Sequence, residues 1–311
     1  MARGKIGIAL GGGAARGWAH IGIRRVLAEA GIFPDIIAGT SIGAVVGGCY
    51  AADQIGELED FARELTRRKV FGYLDLNLSG SGLINGQRLS DRLLRSLGSK
   101  SIEELDRRFT AVATEIGTGH EIWLSRGSLV DAIKASYALP GIFKPVCLNN
   151  RWLFDGALVN PVPVSVCRAL GARYVIAVNL NGDTCGRGTV VPHGGDVEAP
   201  LTEPERSGEK GAAKKLLLRQ MFGRGENGPG ISTVMYDAFN IVQDRIARSR
   251  LAGDPPDAMI APRLAGIGPF EFHRADELIA RGEAAARRAI EDILREVDAR
   301  HLTEQRHQVR A

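Results

Sequence analysis

Residues 36–52 read Ile36-Ile37-Ala38-Gly39-Thr40-Ser41-Ile42-Gly43-Ala44-Val45-Val46-Gly47-Gly48-Cys49-Tyr50-Ala51-Ala52, and this stretch decides the fold. Ile36-Ile37-Ala38 reads as a short buried strand. The small-residue run Gly43, Ala44, Gly47, Gly48 and Ala51 reads as a closely packed helix. Between them sits Gly39-Thr40-Ser41-Ile42-Gly43, a Gly-x-Ser-x-Gly element. On a strand-to-helix corner such a serine is held in a strained conformation with its hydroxyl exposed, and its small neighbours let the backbones pass. The helix N-terminus also favours an anion beside the hydroxyl. In a chain with 39 glycines the string alone says little; the strand before it and the helix after it give it meaning.

Upstream, the apolar run Lys5 to Leu10 ends in Gly11-Gly12-Gly13-Ala14-Ala15-Arg16-Gly17, followed by a helical pattern (Ile23, Val26, Leu27, Ala30) that Gly31 stops. A glycine loop after a strand can aim backbone N–H groups at an anion. A dinucleotide loop starting at Gly11 needs glycine where Arg16 stands, and one starting at Gly12 needs it where Ala14 stands. A phosphate loop needs Gly-Lys-Ser/Thr, whereas Trp18 follows Gly17. What remains is a loop of N–H donors with Arg16 beside it, or a plain tight turn.

Repeated strand–helix alternation predicts an α/β domain with a parallel sheet covered on both faces. Helices are expected over Gln54 to Arg68, around Leu89, Leu93, Leu94 and Leu97, and over Leu129 to Ala138, with a capping box at Ser101 and Glu104. Strands are expected at Phe109 to Thr114, Ile122 to Leu124, Trp152 to Phe154 and Tyr174 to Leu180. From Gly182 to Gly230 glycine, proline and charge dominate, which predicts a mobile excursion and a candidate lid. Two further helices follow, around Ser232 to Ser249 and through Leu278, Ile290 and Val297. The expected division is a core over 5–181, the excursion 182–230, and a helical C-terminal section 231–311 packed on the core.

Composition narrows the function classes. The chain has 311 residues, 44% hydrophobic and 24% charged, with a net charge of +4. Disorder throughout and a nucleic-acid binder are both excluded, while contact with an anionic membrane surface stays open. Cys49, Cys147, Cys167 and Cys185 form no disulfide framework and no C-x-x-C pair. The uncharged stretch Ile36 to Ala52 is short of the ~20 apolar residues of a membrane span. Arg3 and Lys5 before an apolar run suggest a signal peptide, but glycines interrupt the run and it leads straight into Arg16 and His20. The expected location is cytoplasmic, with a peripheral membrane contact left open.

A serine hydroxyl needs a base. After Ser41 the histidines are His120, in a turn; His193, in the excursion; His273, in the ordered-looking Phe270-Glu271-Phe272-His273; and His301 and His307, in the charged tail. A better base is Asp155. It closes the apolar run Trp152-Leu153-Phe154, which is expected to bury it, and Gly156-Ala157 turns the chain sharply at a strand end, where open α/β sheets place their sites. Alone, Asp155 reads as a turn aspartate; together with the serine corner and the glycine loop it reads as a partner of Ser41.

These elements resemble the patatin-like phospholipase family, in particular its bacterial branch related to neuropathy target esterase. The glycine loop, Gly39-Thr40-Ser41-Ile42-Gly43, Ala135-Ser136-Tyr137-Ala138-Leu139-Pro140-Gly141-Ile142-Phe143-Lys144-Pro145 and Asp155-Gly156-Ala157 carry the likeness. Ala14 departs from the family's second loop glycine as counted from Gly12. The resemblance implies a three-layer α/β/α sandwich with a mainly parallel sheet. It further implies a Ser41 nucleophile, an Asp155 proton acceptor, and an oxyanion hole of the Gly12, Gly13 and Ala14 N–H groups, each such donor worth ~3–4 kcal/mol in other enzymes. Gly11, Arg16, Gly17, Gly39, Gly43, Gly156 and Ala157 complete the motifs. Arg16 is expected to fix the loop, an acidic head group being its other candidate contact, and His20 to be a structural hydrogen-bonding group. The implied activity is hydrolysis of lipid acyl esters, phospholipid or lysophospholipid, through an acyl-enzyme, with no metal or cofactor. An acyltransferase or thioesterase with the same pair, and a non-catalytic protein retaining the fold, are the alternatives; the oligomeric state is open.

Overall fold

The computed structural model describes residues 4–73, 82–84, 87–183, 224–225, 228–229 and 231–308. Strand β1 (Ile6–Leu10) leads through the glycine loop and a 3-10 turn (Ala14–Trp18) into helix α1 (Ala19–Glu29). Gly31 ends α1 with φ +75°, and the bonds Ile32 N to Leu27 O (2.8 Å) and Gly31 N to Ala28 O (3.0 Å) close its last turn. Strand β2 (Ile36–Thr40) and helix α2 (Ile42–Ala51) flank Ser41. The helix expected over Gln54 to Arg68 is two helices, α3 (Ile55–Glu64) and α4 (Arg67–Tyr73). The break falls at Leu65, whose backbone is extended (ψ 111°) and whose side chain is buried.

Strand β3 (Gly82–Ile84) and helix α5 (Gln87–Leu97) precede β4 (Arg108–Glu115) and β5 (Glu121–Leu124). Helix α6 (Leu129–Ser136) is followed by β6 (Gly141–Phe143), β7 (Val146–Leu148) and β8 (Arg151–Asp155), then helix α7 (Val164–Ala169) and β9 (Tyr174–Val178). The C-terminal part holds the helix Ile231–Gly253, the strand Ala258–Ile260 and the helix Ala275–Gln308. The strand was not expected: it pairs parallel with β9, so this part extends the central sheet as well as packing on it. Most of the candidate lid over 182–230 lies outside the described residues.

The central sheet is mixed but mainly parallel. The strand Ala258–Ile260, β9, β1, β2 and β4 run parallel, while β5 and β8 run antiparallel to β4, and β7 antiparallel to β8. Alternate strand residues fill two cores. Ile8, Leu10, Ile37, Ile176 and Val178 pack against α1, α2 and the helix Ala275–Gln308. Ala9, Ile36, Ala38, Val175 and Ala177 pack on the other face, with Val164, Val166 and Ala247. Both faces are covered, which is why these strands are apolar throughout. Among the described residues no helix is long and apolar enough to cross a membrane.

The pairing around β4 positions the site. Ala111 and Val112 pair with both β2 and β5, and Ala113 and Thr114 with both β5 and β8. A strand has only two edges, so β5 takes one edge while β2 and β8 share the other. Thr40 sits opposite Val112 and Asp155 opposite Ala113, so the two strands meet end to end with opposite directions.

Helix α1 and the helix Ala275–Gln308 touch backbone to backbone. A Cβ at Gly22 would lie 2.1 Å from Ile279 O, and one at Gly282 would lie 2.1 Å from Ala19 O. Gly282→Ala is therefore expected to lower stability by about 1–3 kcal/mol by overpacking, despite the better helix propensity of alanine. Denaturant unfolding measures this, and an unchanged or raised midpoint would show that the helices are not in contact there.

Candidate active site

Backbone conformation, glycine neighbours and buried hydroxyls set Ser41 on its corner. Its own conformation is φ 57°, ψ −124°, a left-handed region that costs a non-glycine residue about 1–3 kcal/mol and persists only where the surroundings enforce it. The flanking glycines supply the enforcement: a Cβ at Gly43 would lie 2.1 Å from Leu10 O, and one at Gly39 2.5 Å from Gly43 O. Behind the corner, buried Thr40 donates its hydroxyl to Asn160 O at 2.8 Å.

The Ser41 hydroxyl donates to Asp155 Oδ2 at 2.6 Å. Asp155 is fully buried, and every polar atom it carries is used. Its Oδ1 accepts from Ala157 N at 2.8 Å, its N–H donates to Ala138 O at 3.0 Å, and its carbonyl accepts from Thr114 Oγ1 at 2.9 Å. Gly156 allows the turn, since a Cβ there would lie 2.2 Å from Val112 O. Burial lifts the Asp155 carboxyl from its ordinary 3.8 to about 7, against the opposing pull of the Ser41 and Ala157 hydrogen bonds. A carboxylate so placed is poised to exchange a proton near neutral pH.

Burial of Asp155 does not come from the expected neighbours. Strand alternation points Leu153 and Asp155 inward, leaving Trp152 exposed and Phe154 only half-buried. Strand β8 also runs antiparallel to β4, so Asp155 reaches the carboxyl ends of the parallel strands from the opposite direction.

The glycine loop is held from several sides. Ala15 N donates to Pro269 O (3.1 Å) and Trp18 Nε1 to Phe272 O (3.1 Å). Arg16 is buried, and its Nη1 donates to Asn181 Oδ1 at 2.6 Å, while Asn181 Nδ2 donates to Gly12 O at 3.3 Å. A Cβ at Gly17 would lie 2.0 Å from Ile42 Cγ1, and one at Gly11 2.7 Å from Val178 O. Ala14 adopts φ 50°, the conformation glycine favours, at the position where the sequence departs from the family pattern. Gly12 differs from expectation as an oxyanion donor, because its N–H is given to Pro161 O at 3.0 Å. The Gly13 and Ala14 N–H groups meet no acceptor among the described residues, and both residues line the cavity that holds Ser41.

Among the described residues no histidine side chain hydrogen-bonds to Ser41 or Asp155. His20 is buried, and its Nε2 meets Gly11 O at 2.9 Å. Burial pushes its pKa down to about 4, so the neutral ring donates there. His273 accepts from Arg67 Nε at 3.1 Å, and desolvation, with Arg67 next, lowers its pKa. His120 is exposed beside Glu115. His193 lies outside the described residues, as do the side chains of His301 and His307.

Above Ser41 and Asp155 opens a cavity of about 140 Å³, lined by Ile42, Val45, Leu58, Phe61, Tyr137, Leu139, Phe239 and Phe272, with Glu57 and Arg92 also in its wall. An apolar chamber with a few convergent polar groups suits a small amphiphile.

Sequence reasoning missed the role of Ser136. It is fully buried, donates its hydroxyl to Val112 O at 2.6 Å and accepts from Ser41 N at 2.9 Å. Were β2 one residue longer, Ser41 N would bond Val112 O directly. The Ser136 hydroxyl is spliced into that broken rung and holds the corner. A buried serine in the Ala135 to Pro145 segment was visible; its partners, 24 and 95 residues away, were not.

A serine–carboxylate pair on an α/β sheet, beneath an apolar chamber, defines a class of carboxylic ester hydrolase. Residues 8–168 match the family model described as patatin-like phospholipase, and the chain belongs to that family of lipid ester hydrolases. An uncharacterised NTE family protein of Mycobacterium tuberculosis is 33% identical, with 92% of this chain and 91% of that protein covered. Lysophospholipase nte1 of Aspergillus fumigatus is 27% identical over 93% of this chain, which spans 18% of that larger protein. Among solved structures, VipD from Legionella pneumophila aligns with a TM-score of 0.46 at 12% identity, over 94% of this chain and 67% of VipD.

Ser136→Ala would orphan Ser41 N–H and Val112 C=O. It is expected to cost about 1–3 kcal/mol of stability for each buried group left unpaired, and to lower kcat with little change in KM. Unfolding and ester kinetics on the same preparation check this, and unaltered kcat in a folded variant would remove Ser136 from the positioning of Ser41.

Proposed function

We propose that the protein hydrolyses acyl esters of membrane-derived lipids, lysophospholipids foremost, through a Ser41–Asp155 dyad. The observation that carries this is the 2.6 Å bond from the Ser41 hydroxyl to the buried Asp155 carboxyl, whose pKa is raised to about 7. The name of the fungal relative, a lysophospholipase, supports the substrate class. In the acylation step Ser41 Oγ attacks the ester carbonyl carbon as its proton passes to Asp155 Oδ2. The tetrahedral oxyanion is stabilised by the Gly13 and Ala14 N–H groups, with the positive end of α2 nearby. Collapse of this intermediate breaks the C–O bond to the leaving alcohol, which takes the proton from Asp155. Water then attacks the acyl-enzyme, giving a proton to Asp155, and the second collapse returns that proton to Ser41 and frees the fatty acid. The apolar chamber takes the acyl chain, and Arg16 serves as a loop brace.

Because the acceptor must be ionised, kcat/KM for a soluble aryl ester is expected to rise with pH through an apparent ionisation near 7. Asp155→Asn is expected to reduce it by about 10²–10⁴-fold and to abolish that limb. The same raised carboxyl carries a stability signature. The unfolded chain ionises near 3.8 and the folded one near 7, so wild type loses stability across that interval as pH rises, and Asp155→Asn does not. Release of fatty acid from lysophosphatidylcholine, read by mass spectrometry, tests the substrate class. A folded protein that cleaves neither aryl esters nor lysophospholipids would overturn the reading.

A further inference from the structure

We propose that the outward face of the helix Ile231–Gly253 is a docking surface for an anionic lipid bilayer, one that brings the chamber alongside the membrane. The proposal rests on the lipid-ester reading for its purpose but not for its evidence. Among the described residues nine large apolar side chains are exposed, and four of them fall on this helix: Val234 at 48%, Met235 at 48%, Ile241 at 53% and Val242 at 46%. Val234 and Ile241 are seven residues apart, as are Met235 and Val242, so all four share one helix face. The opposite face carries buried Asn240, Gln243, Asp244 and Ala247. An apolar face of this kind, left uncovered by the other described residues, marks an interaction site.

Two observations choose the bilayer as occupant. The first is continuity with the chamber: Phe239 and Gln243 of this same helix line it, and the Met235 methyl lies against Gly141, where a Cβ would meet it at 2.6 Å. Gly141 belongs to the segment whose Leu139, Ile142 and Phe143 also line the chamber. The second is charge. Arg245 is exposed one turn beyond Ile241 and pairs with no carboxylate among the described residues, and the positions Val234, Ala238, Ile241, Val242 and Arg245 carry no acid, Asp237 lying on the flank of that face. Neighbouring Arg248 and Arg250 are engaged by Asp244 and Glu121. Apolar side chains beside an arginine that no described carboxylate engages are what an interfacial helix presents to anionic headgroups.

The test is co-sedimentation with phosphatidylcholine vesicles, with and without about one-third phosphatidylglycerol, using the Ser41→Ala protein so that binding is read without turnover. It is expected to sediment with the anionic vesicles. Adding Ile241→Ser with Val242→Ser, or Val234→Ser alone as a second variant, is expected to cut the bound fraction by about fivefold or more for the pair and less for the single change. In the otherwise wild-type chain these changes are expected to leave soluble-ester turnover within about twofold, since none of the three residues lines the chamber. Binding unchanged in both variants, or a parent that stays in the supernatant, overturns the proposal. In the latter case, a changed elution volume on substitution would assign the face to a second copy of the chain, and a lowered melting temperature to cover by residues 184–223. Vesicle binding as expected with no soluble-ester turnover in wild type would sink the enzymatic reading and leave the docking surface standing.

Discussion

Strand β4 offers a single edge to two strands running in opposite directions, and the site exists because both of them end there. β2 arrives with the parallel strands and stops at Thr40; β8 arrives from the opposite direction and stops at Asp155, one rung further along. Each chain must leave the ladder immediately, Ser41 into α2 and Asp155 into the turn at Gly156. Their side chains are thereby brought within hydrogen-bond distance without any flexible loop between them. The glycines at 39, 43 and 156 follow from the same crowding, since a Cβ at any of them would strike backbone.

Ending two strands on one edge leaves backbone groups at the junction without ladder partners, and buried orphans are costly. Ser136 answers for Val112 O and Ser41 N together, and Thr114 answers for the Asp155 carbonyl. With the backbone satisfied, the remaining electrostatic strain falls on the Asp155 carboxylate. Its desolvation outweighs its two hydrogen bonds, which is why its pKa rises. The strained serine and the poised carboxylate are two consequences of one topological junction.

Much of this was legible in the sequence because the decisive signals are local. Strand, glycine turn and small-residue helix lie within sixteen residues, Ile36 to Ala51, and only that context gives Ser41 meaning. Asp155 was legible as one member of a set. What failed was long-range or short. The strands Gly141–Phe143, Val146–Leu148 and Ala258–Ile260 have three residues each, too few to show a period. Ser136 acts through partners far along the chain, and Gly12 spends its N–H on Pro161, a pairing no local pattern announces. The outward turn of Trp152 was recoverable: if Asp155 points inward, period-2 alternation sends Leu153 with it and Trp152 to solvent. Ala14 shows the reverse case, a departure from the family's glycine pattern that the loop accommodates at positive φ.

This junction is expected to activate one serine. Intact-protein mass after reaction with a fluorophosphonate tests it most directly, run on wild type, Ser41→Ala and Asp155→Asn. A single adduct is expected on wild type, none on Ser41→Ala, and much slower labelling on Asp155→Asn. An adduct that persists in Ser41→Ala, or a folded wild type that is never labelled, would contradict it.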